Sequence, residues 1–181
     1  MHLGDRIMIL GSAGSGKSTL ATRLGEITGL PVVHLDRLFW NPGWVATPKD
    51  EMTRRVIESA SCERWIIDGN YSSTLDFRIE RADSIIFIDF NRYLCTYRVV
   101  KRRIKNRGNT RYDLGEGCPE KIDWPFLTWI WGYPNHSRKP ILDKLDGCGK
   151  NVYHLRTRND VKQFIENAKG ENTHNRIYDP K

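Results

Sequence analysis

GSAGSGKS, residues 11–18, fits the pattern G-x-x-x-x-G-K-[ST] and decides the fold of this chain. The apolar run IMIL, residues 7–10, comes directly before it and reads as a buried strand. A segment of helical period follows it, and we expect a helix from Gly16 to Thr28 that Gly29 ends. A strand, a glycine-rich loop and a helix in this order are typical of a phosphate-binding loop.

The residue types of this loop suit a nucleotide triphosphate. Glycines let successive backbone N–H groups point at phosphate oxygens, and the helix N-terminus adds partial positive charge. Lys17 is expected to reach the β- and γ-phosphates, and the Ser18 hydroxyl to bind Mg²⁺. The alternative is a glycine-rich turn without a ligand. The pattern favours ATP and Mg²⁺ as cofactors, with nucleotide contacts from Gly11, Ser12, Ala13, Gly14, Ser15, Gly16, Lys17, Ser18 and Thr19.

Four more apolar runs alternate with segments of helical period, and each ends in a polar or glycine-rich turn. Strands rich in Ile and Val on both faces indicate a parallel sheet covered by helices on both sides, which is an α/β fold. The runs are PVVHLD (31–36), WIIDG (65–69), SIIFIDF (84–90) and NVYHLR (151–156).

Three further helices are predicted between and after these strands. Thr47 has the features of an N-cap, with Pro48 at the first helical position of a helix that reaches about Ala60. A third helix is expected from about Tyr93 to Asn106, ended by Gly108, and a last one from about Asn159 and Asp160.

The chain of 181 residues fits one domain, which we place at residues 1–169. Residues 108–140 break the pattern and hold an aromatic cluster, so we expect a compact functional insertion there. The polar segment 170–181 is expected to be a flexible tail. The apolar run near the N-terminus is too short for a signal or a membrane span, so we expect a cytoplasmic protein with no membrane partner.

The four cysteines are widely spaced and read as reduced thiols; a metal site shared by Cys118 and His136 is disfavoured because two more ligands are lacking.

Carboxylates at the carboxyl ends of strands are candidates for the chemistry. Asp68 and Asp89 each end an apolar strand and could approach a metal; Asp68 is preferred because Gly69 lets the chain turn near the ligand. Asp36 ends the second predicted strand and could orient or deprotonate an acceptor hydroxyl. Each could instead cap a turn. Trp40 and Trp44 could stack on an acceptor or seal the core.

The positive charge of the chain is local. TYRVVKRRIKNRGNTRY, residues 96–112, holds seven Lys or Arg and no acid, while the net charge of the whole chain is +7. The remainder is therefore neutral on balance, and the segment could serve phosphates of a nucleotide or of DNA, or form a solvated helix face.

Taken together, the motifs resemble those of the bacterial P-loop proteins identified as DNA topology modulation proteins, which are similar to adenylate kinase. The resemblance covers about residues 5–168 and rests on GSAGSGKST, HLDRLFWNPGW, WIIDGNYSSTLDFRIERAD, YRVVKRRIKNRGNTR and GEGCPEKIDWPFLTWIW. It implies a three-layer P-loop NTPase fold: a five-stranded parallel sheet of order 2-3-1-4-5, with helices on both faces and a lid after the fourth strand.

The resemblance also implies roles for individual residues. Asp68-Gly69 matches the pair that closes the third strand in adenylate kinases, but Asn70-Tyr71-Ser72 departs from them, which argues against AMP as acceptor. Lid arginines close on the phosphates, and Arg103 with Arg107 are the first candidates for this catalytic role. Further candidates are Arg98 with Arg102, Arg138, and, at the expected adenine side, Arg156, Thr157 and Arg158.

Two functions follow as hypotheses. The first is an adenylate kinase-like phosphotransferase that moves the γ-phosphate of ATP to an unidentified small-molecule acceptor. The second is a nucleotide-dependent protein that binds DNA or regulates its topology. The sequence contains no recognisable DNA-reading motif, which favours the first.

Overall fold

Five parallel strands form the main sheet of the computed structural model, which describes residues 2–105, 113–119 and 122–177. The strand order is β2-β5-β1-β6-β7, and a separate antiparallel hairpin pairs β3 with β4. Counted along the chain without the hairpin, this is the expected order 2-3-1-4-5. The strands are β1 (Arg6–Gly11), β2 (Val32–His34), β3 (Trp40–Asn41), β4 (Val45–Ala46), β5 (Trp65–Asp68), β6 (Ser84–Ile88) and β7 (Asn151–Leu155).

Helices cover both faces of this sheet, because side chains of successive strand residues point to opposite faces. Ile7 and Ile9 of β1 lie in one buried cluster, and Met8 and Leu10 lie in the other. The expected α/β fold with three layers is confirmed. The helices are α1 (Lys17–Thr28), α2 (Leu35–Phe39), α3 (Lys49–Ser61), α4 (Leu75–Arg81), α5 (Arg92–Lys105), α6 (Trp124–Tyr133), α7 (Lys139–Leu145) and α8 (Arg158–Ile177).

The second strand is shorter than predicted. β2 ends at His34, and Asp36 lies in the short helix α2 instead of at the end of a strand. The turn into this helix places the side chain of Leu35 against the backbone of Gly69, where it is completely buried. The burial of Leu35 therefore determines where the strand stops.

The sequence predicted Thr47 as the N-cap of α3, but the structure does not place it there. Its hydroxyl donates to the carbonyl oxygen of Leu38 (3.0 Å) and accepts from the side-chain amide of Asn41 (3.0 Å). The residue before the first helical turn is Pro48, and it makes no side-chain cap. Thr47 joins the hairpin to α2 because its hydroxyl finds partners there that are nearer than the helix end.

The other boundaries differ by little from expectation. α5 is described to Lys105, so its expected end at Gly108 lies outside the described residues. α8 begins at Arg158 and continues to Ile177, so it extends into the segment 170–181. The flexible tail expected for that segment stays a prediction. In the insertion, a π-helical turn, Pro134–Arg138, joins α6 to α7. Within the described ranges, no helix is both long and apolar enough to cross a bilayer.

Candidate functional site

The loop of residues 11–18 joins β1 to α1 and packs directly on α5. Gly14 has a φ of 78°, in the left-handed region that favours glycine. A Cβ atom at Gly14 would overlap the carbonyl oxygen of Cys95 and lie 2.9 Å from Cγ2 of Val99. A side chain therefore does not fit at this position. The backbone of the loop stays uncovered there, as phosphate binding by backbone N–H groups requires.

Ser18 and Asp68 meet beneath the loop, although 50 residues separate them in the chain. The Ser18 hydroxyl donates to Oδ2 of Asp68 at 2.7 Å. Asp68 is buried, and its Oδ1 pairs with Nδ1 of His34. A hydroxyl next to a carboxylate is an oxygen donor set that Mg²⁺ prefers, so these residues fit the metal that the loop pattern implies.

Asp89, the alternative carboxylate for the metal, has other partners. Its two oxygens accept from Arg138 at 2.7 and 2.8 Å, and Nε2 of His154 lies 2.8 Å from Oδ2. Burial opposes ionisation of this carboxyl, but the bonds from Arg138 and His154 outweigh it and hold its pKa below the usual value. Asp89 therefore anchors the end of the insertion, and Arg138 is engaged in the same contact.

Two residues that the sequence did not mark shape the turn after β5. The side-chain amide of Asn70 accepts from the N–H of Gly11 (3.1 Å) and donates to its carbonyl oxygen (3.0 Å). Arg78 is completely buried and donates to the carbonyl oxygens of Gly69, Asn70 and Tyr71. Burial lowers the pKa of Arg78 to about 10. The departure from the adenylate kinase pattern at Asn70-Tyr71 was the available signal for this clamp.

Asp36 faces the same cavity as the loop, and Tyr71 holds it there. The Tyr71 phenol donates to Oδ1 of Asp36 at 3.0 Å. Burial and the negative charge of Asp36 both raise the pKa of this phenol above its ordinary value. Tyr71 therefore stays protonated and remains a hydrogen-bond donor to Asp36, and it fixes the direction in which the carboxylate points.

The arginines of α5 divide differently from the prediction. Nη1 of Arg98 donates to the carbonyl oxygen of Ser15 (2.9 Å), and its guanidinium lies 4.9 Å from the centre of the Phe90 ring. Burial lowers the pKa of Arg98. Arg98 and Arg102, one helical turn apart, line the cavity, whereas Arg103 does not line it among the described residues. Arg107, its predicted partner, lies outside the described residues.

The turn before α8 brings only one of its two arginines to the cavity. Arg158 lines it. The Thr157 hydroxyl and the backbone N–H groups of Arg156 and Thr157 donate to Asp160. The bond from the hydroxyl, followed by those from the backbone, holds the pKa of Asp160 below its usual value. The guanidinium of Arg156 lies 3.5 Å from Nδ1 of His154. Arg156 thus takes part in the turn and is not placed at the cavity.

One cavity of about 1540 Å³ is lined by the phosphate loop together with Asp36, Tyr71, Arg98, Arg102 and Arg158, whereas the buried Asp68 reaches it through its contact with Ser18. A pocket for a single small ligand usually measures about 300–1,000 Å³, so this volume has room for a nucleotide and a second molecule. Trp40 and Trp44 both line it. Cys118 donates to the carbonyl oxygen of Asn41, while His136 contacts Trp129 and Ser137, so the two do not share a site. Among the described residues, no three His, Cys, Asp or Glu side chains form a metal cluster.

Solved structures similar to this chain share its fold. A shikimate kinase from Acinetobacter baumannii superposes with a TM-score of 0.58 at 12% identity, covering 95% of this chain and 94% of that chain. A gluconokinase from Sinorhizobium meliloti 1021 gives a TM-score of 0.53 at 14% identity, covering 96% and 94%. No family model and no curated protein matches the chain. At these identities the likeness establishes the fold alone: the chain has the fold of the P-loop kinases.

Proposed function

We propose that the protein is a kinase that transfers the γ-phosphate of ATP to a hydroxyl group of a small molecule. One observation carries the proposal: Ser18, which is hydrogen-bonded to the buried Asp68, lines the same cavity as Asp36. A metal-binding pair beside a carboxylate that can receive a hydroxyl proton is what phosphoryl transfer to an alcohol requires.

The side chains divide the work between charge and position. Lys17, Arg98 and Arg102 line the cavity and supply positive charge for the phosphates. When bound, Mg²⁺ neutralises phosphate charge, and Ser18 and Asp68 are the residues that would hold it. Asp36, oriented by Tyr71, accepts a hydrogen bond from the acceptor hydroxyl and can take its proton.

A screen for phosphate transfer tests this function. The wild-type protein with Mg²⁺ and ATP is expected to phosphorylate at least one member of a library of alcohols, sugars, nucleosides and nucleotides. Lys17→Ala should weaken ATP binding about 10- to 100-fold, because a hydrogen bond to a charged group contributes about 1.5–3 kcal/mol. Asp36→Asn should abolish transfer while ATP binding stays unchanged.

The matched control is Lys49→Ala, which removes an exposed lysine of α3 that does not line the cavity. It should behave as wild type in both assays. Slow ATP hydrolysis without transfer to any library member would contradict the kinase function.

The resemblance to DNA topology modulation proteins suggests DNA binding as an alternative function. Its basis is the cationic segment 96–112, of which Arg98 and Arg102 already line the cavity. We therefore place it second. A gel shift at physiological salt distinguishes the two: binding tighter than that of an unrelated basic protein, lost with Lys101→Ala and Lys105→Ala but kept with Lys17→Ala, would favour a role on DNA.

A further inference from the structure

The charged residues that line the cavity are unevenly distributed. The phosphate loop and the helices beside it form what we call the nucleotide side. All the charged lining residues that these elements contribute are basic: Lys17 and Arg23 on α1, Arg98 and Arg102 on α5, and Arg158 and Lys162 on α8. This is sufficient positive charge for a triphosphate.

A second group of lining residues, which we call the acceptor side, comes from segments 36–44, 71–75, 113–114 and 136–144. It carries two carboxylates, Asp36 and the buried Asp113, and the third carboxylate of the lining, Asp123, lies at the N-terminus of α6. Among its described lining residues, the one Lys or Arg is Lys144, and its ammonium pairs with Asp76 of α4. Within the described part of the chain, the acceptor side therefore has no Lys or Arg without a paired carboxylate that could bind an anionic ligand.

Four aromatic rings form a continuous wall on the acceptor side. Ring centres lie 5.2 Å apart for Tyr71 and Phe39, 4.7 Å for Phe39 and Trp40, and 5.3 Å for Trp40 and Trp44. Asp36 is attached to the Tyr71 end of this wall by the phenol hydrogen bond. A flat ring that packs on the wall would thus bring a hydroxyl substituent towards the carboxylate.

The wall is held from outside the hairpin that carries its tryptophans. The N–H of Gly43 donates to the carbonyl oxygen of Gly117 (3.0 Å), and Nε1 of Trp44 donates to that of Pro119 (3.1 Å). A Cβ atom on Gly115 would overlap the carbonyl oxygen of Trp40. Because the insertion packs this closely on the hairpin, the rings are arranged before any acceptor binds.

From this division of charge and from the wall, we propose that the acceptor is a ring-bearing alcohol without an anionic group, such as a sugar or nucleoside and not a sugar acid or nucleotide. The inference rests on the proposed kinase function, because the second ligand is a phosphate acceptor only if the protein is a kinase. A carboxylate or phosphate on the ring would lie near Asp36, and like charges placed together in a partly buried site disfavour binding strongly.

Matched pairs of ligands test this charge preference without any need for turnover. Each pair is a ring alcohol and the same ring with an anionic group: a nucleoside with its monophosphate, and a hexose with its sugar acid. Calorimetric titration is done on the full chain with Mg²⁺ and a non-hydrolysable ATP analogue. We expect at least one neutral member to bind, and its anionic counterpart to bind at least about tenfold more weakly.

Two variants separate the carboxylate effect from a general charge effect. Asp36→Asn should reduce the ratio between neutral and anionic affinities about threefold or more, since one opposing charge is removed. Asp143→Asn removes an exposed carboxylate of α7 that does not line the cavity and should leave the ratio unchanged. Trp40→Leu should weaken the neutral ligand about tenfold, because stacking on an aromatic ring contributes on the order of 1–3 kcal/mol.

The outcomes also distinguish this inference from the kinase function. Equal or tighter binding of the anionic members, or no binding by either class, would overturn the inference. Binding of a neutral ring alcohol without phosphate transfer would support the inference and contradict the kinase function. Phosphate transfer to an anionic acceptor would support the kinase function and contradict the inference.

Discussion

At the scale of single residues, Asp68 has the contacts that matter most. It is buried, receives the Ser18 hydroxyl on one oxygen and pairs with His34 on the other. His34 and Asp68 are paired neighbours on adjacent strands, so the sheet register itself brings the imidazole to the carboxylate. His34 thereby fixes the direction of Asp68, as outer partners of metal ligands commonly do.

Asp68→Asn is expected to raise the Mg²⁺ concentration required for half-maximal transfer about 10- to 100-fold, because a neutral amide is a poor ligand next to Ser18. Mg²⁺ titration of transfer, or of ATP binding followed by calorimetry, measures the change.

Asp89→Asn is the matched control, since it alters the other strand-end carboxylate. Its Mg²⁺ requirement should stay within about twofold of wild type, because Arg138 and His154 occupy that side chain. A larger rise with Asp89→Asn than with Asp68→Asn would show that the metal carboxylate is assigned to the wrong strand.

At the scale of elements, the phosphate loop packs tightly on α5. Gly14 has both a left-handed backbone and no space for a Cβ atom beside Cys95 and Val99. Gly29, at the end of α1, has a similar φ of 72° but nothing within 4 Å of such an atom. The pair separates the cost of backbone strain from the cost of lost space.

Gly29→Ala should lower the free energy of unfolding by about 1 kcal/mol, the usual cost of a left-handed alanine. Gly14→Ala should lower it by about 2–4 kcal/mol, since overpacking adds about 1–3 kcal/mol. Urea denaturation measures both. Equal losses would mean that α5 moves away easily and that the loop is not fixed by it.

At the scale of the whole molecule, Asp89 links three parts of the fold. It follows β6, and it binds Arg138 from the turn between α6 and α7 and His154 of β7. The carboxylate thereby ties the end of the insertion to the sheet next to the cavity. Tyr133, at the end of α6, is buried near the same carboxylate, and burial raises the pKa of its phenol.

This link predicts a dependence of stability on pH. The pKa of Asp89 is lower in the folded protein than in the unfolded chain, where it is about 4. Its contribution is therefore fully present above about pH 5 and is lost as the pH falls through the folded-state pKa. Asp89→Asn should be less stable than wild type by about 2 kcal/mol at pH 7, with a smaller difference near pH 3.

Urea midpoints at the two pH values measure this difference. Asp143→Asn, which alters an exposed carboxylate of α7, should track the wild type at both. A deficit of Asp89→Asn that stays constant down to pH 3 would contradict the role of ionised Asp89 in holding the insertion.

The sequence by itself determined the α/β fold and the glycine-rich loop between the first strand and the first helix, and it favoured Asp68 over Asp89 as the candidate magnesium carboxylate, which stays a prediction. These depend on local patterns: the apolar runs, the spacing of glycines, and a carboxylate directly after a buried strand. Such patterns are set by backbone hydrogen bonding and by the burial of near neighbours, so they can be recognised without long-range contacts.

Only the tertiary structure decided which distant side chains meet. The bond from Tyr71 to Asp36 spans 35 residues and the pair of Asp89 with Arg138 spans 49. The same holds for the inward placement of Arg98 and Arg102 instead of Arg103, and for the aromatic wall. No local pattern encodes these contacts, because they depend on how the helices rotate as their apolar faces pack on the sheet.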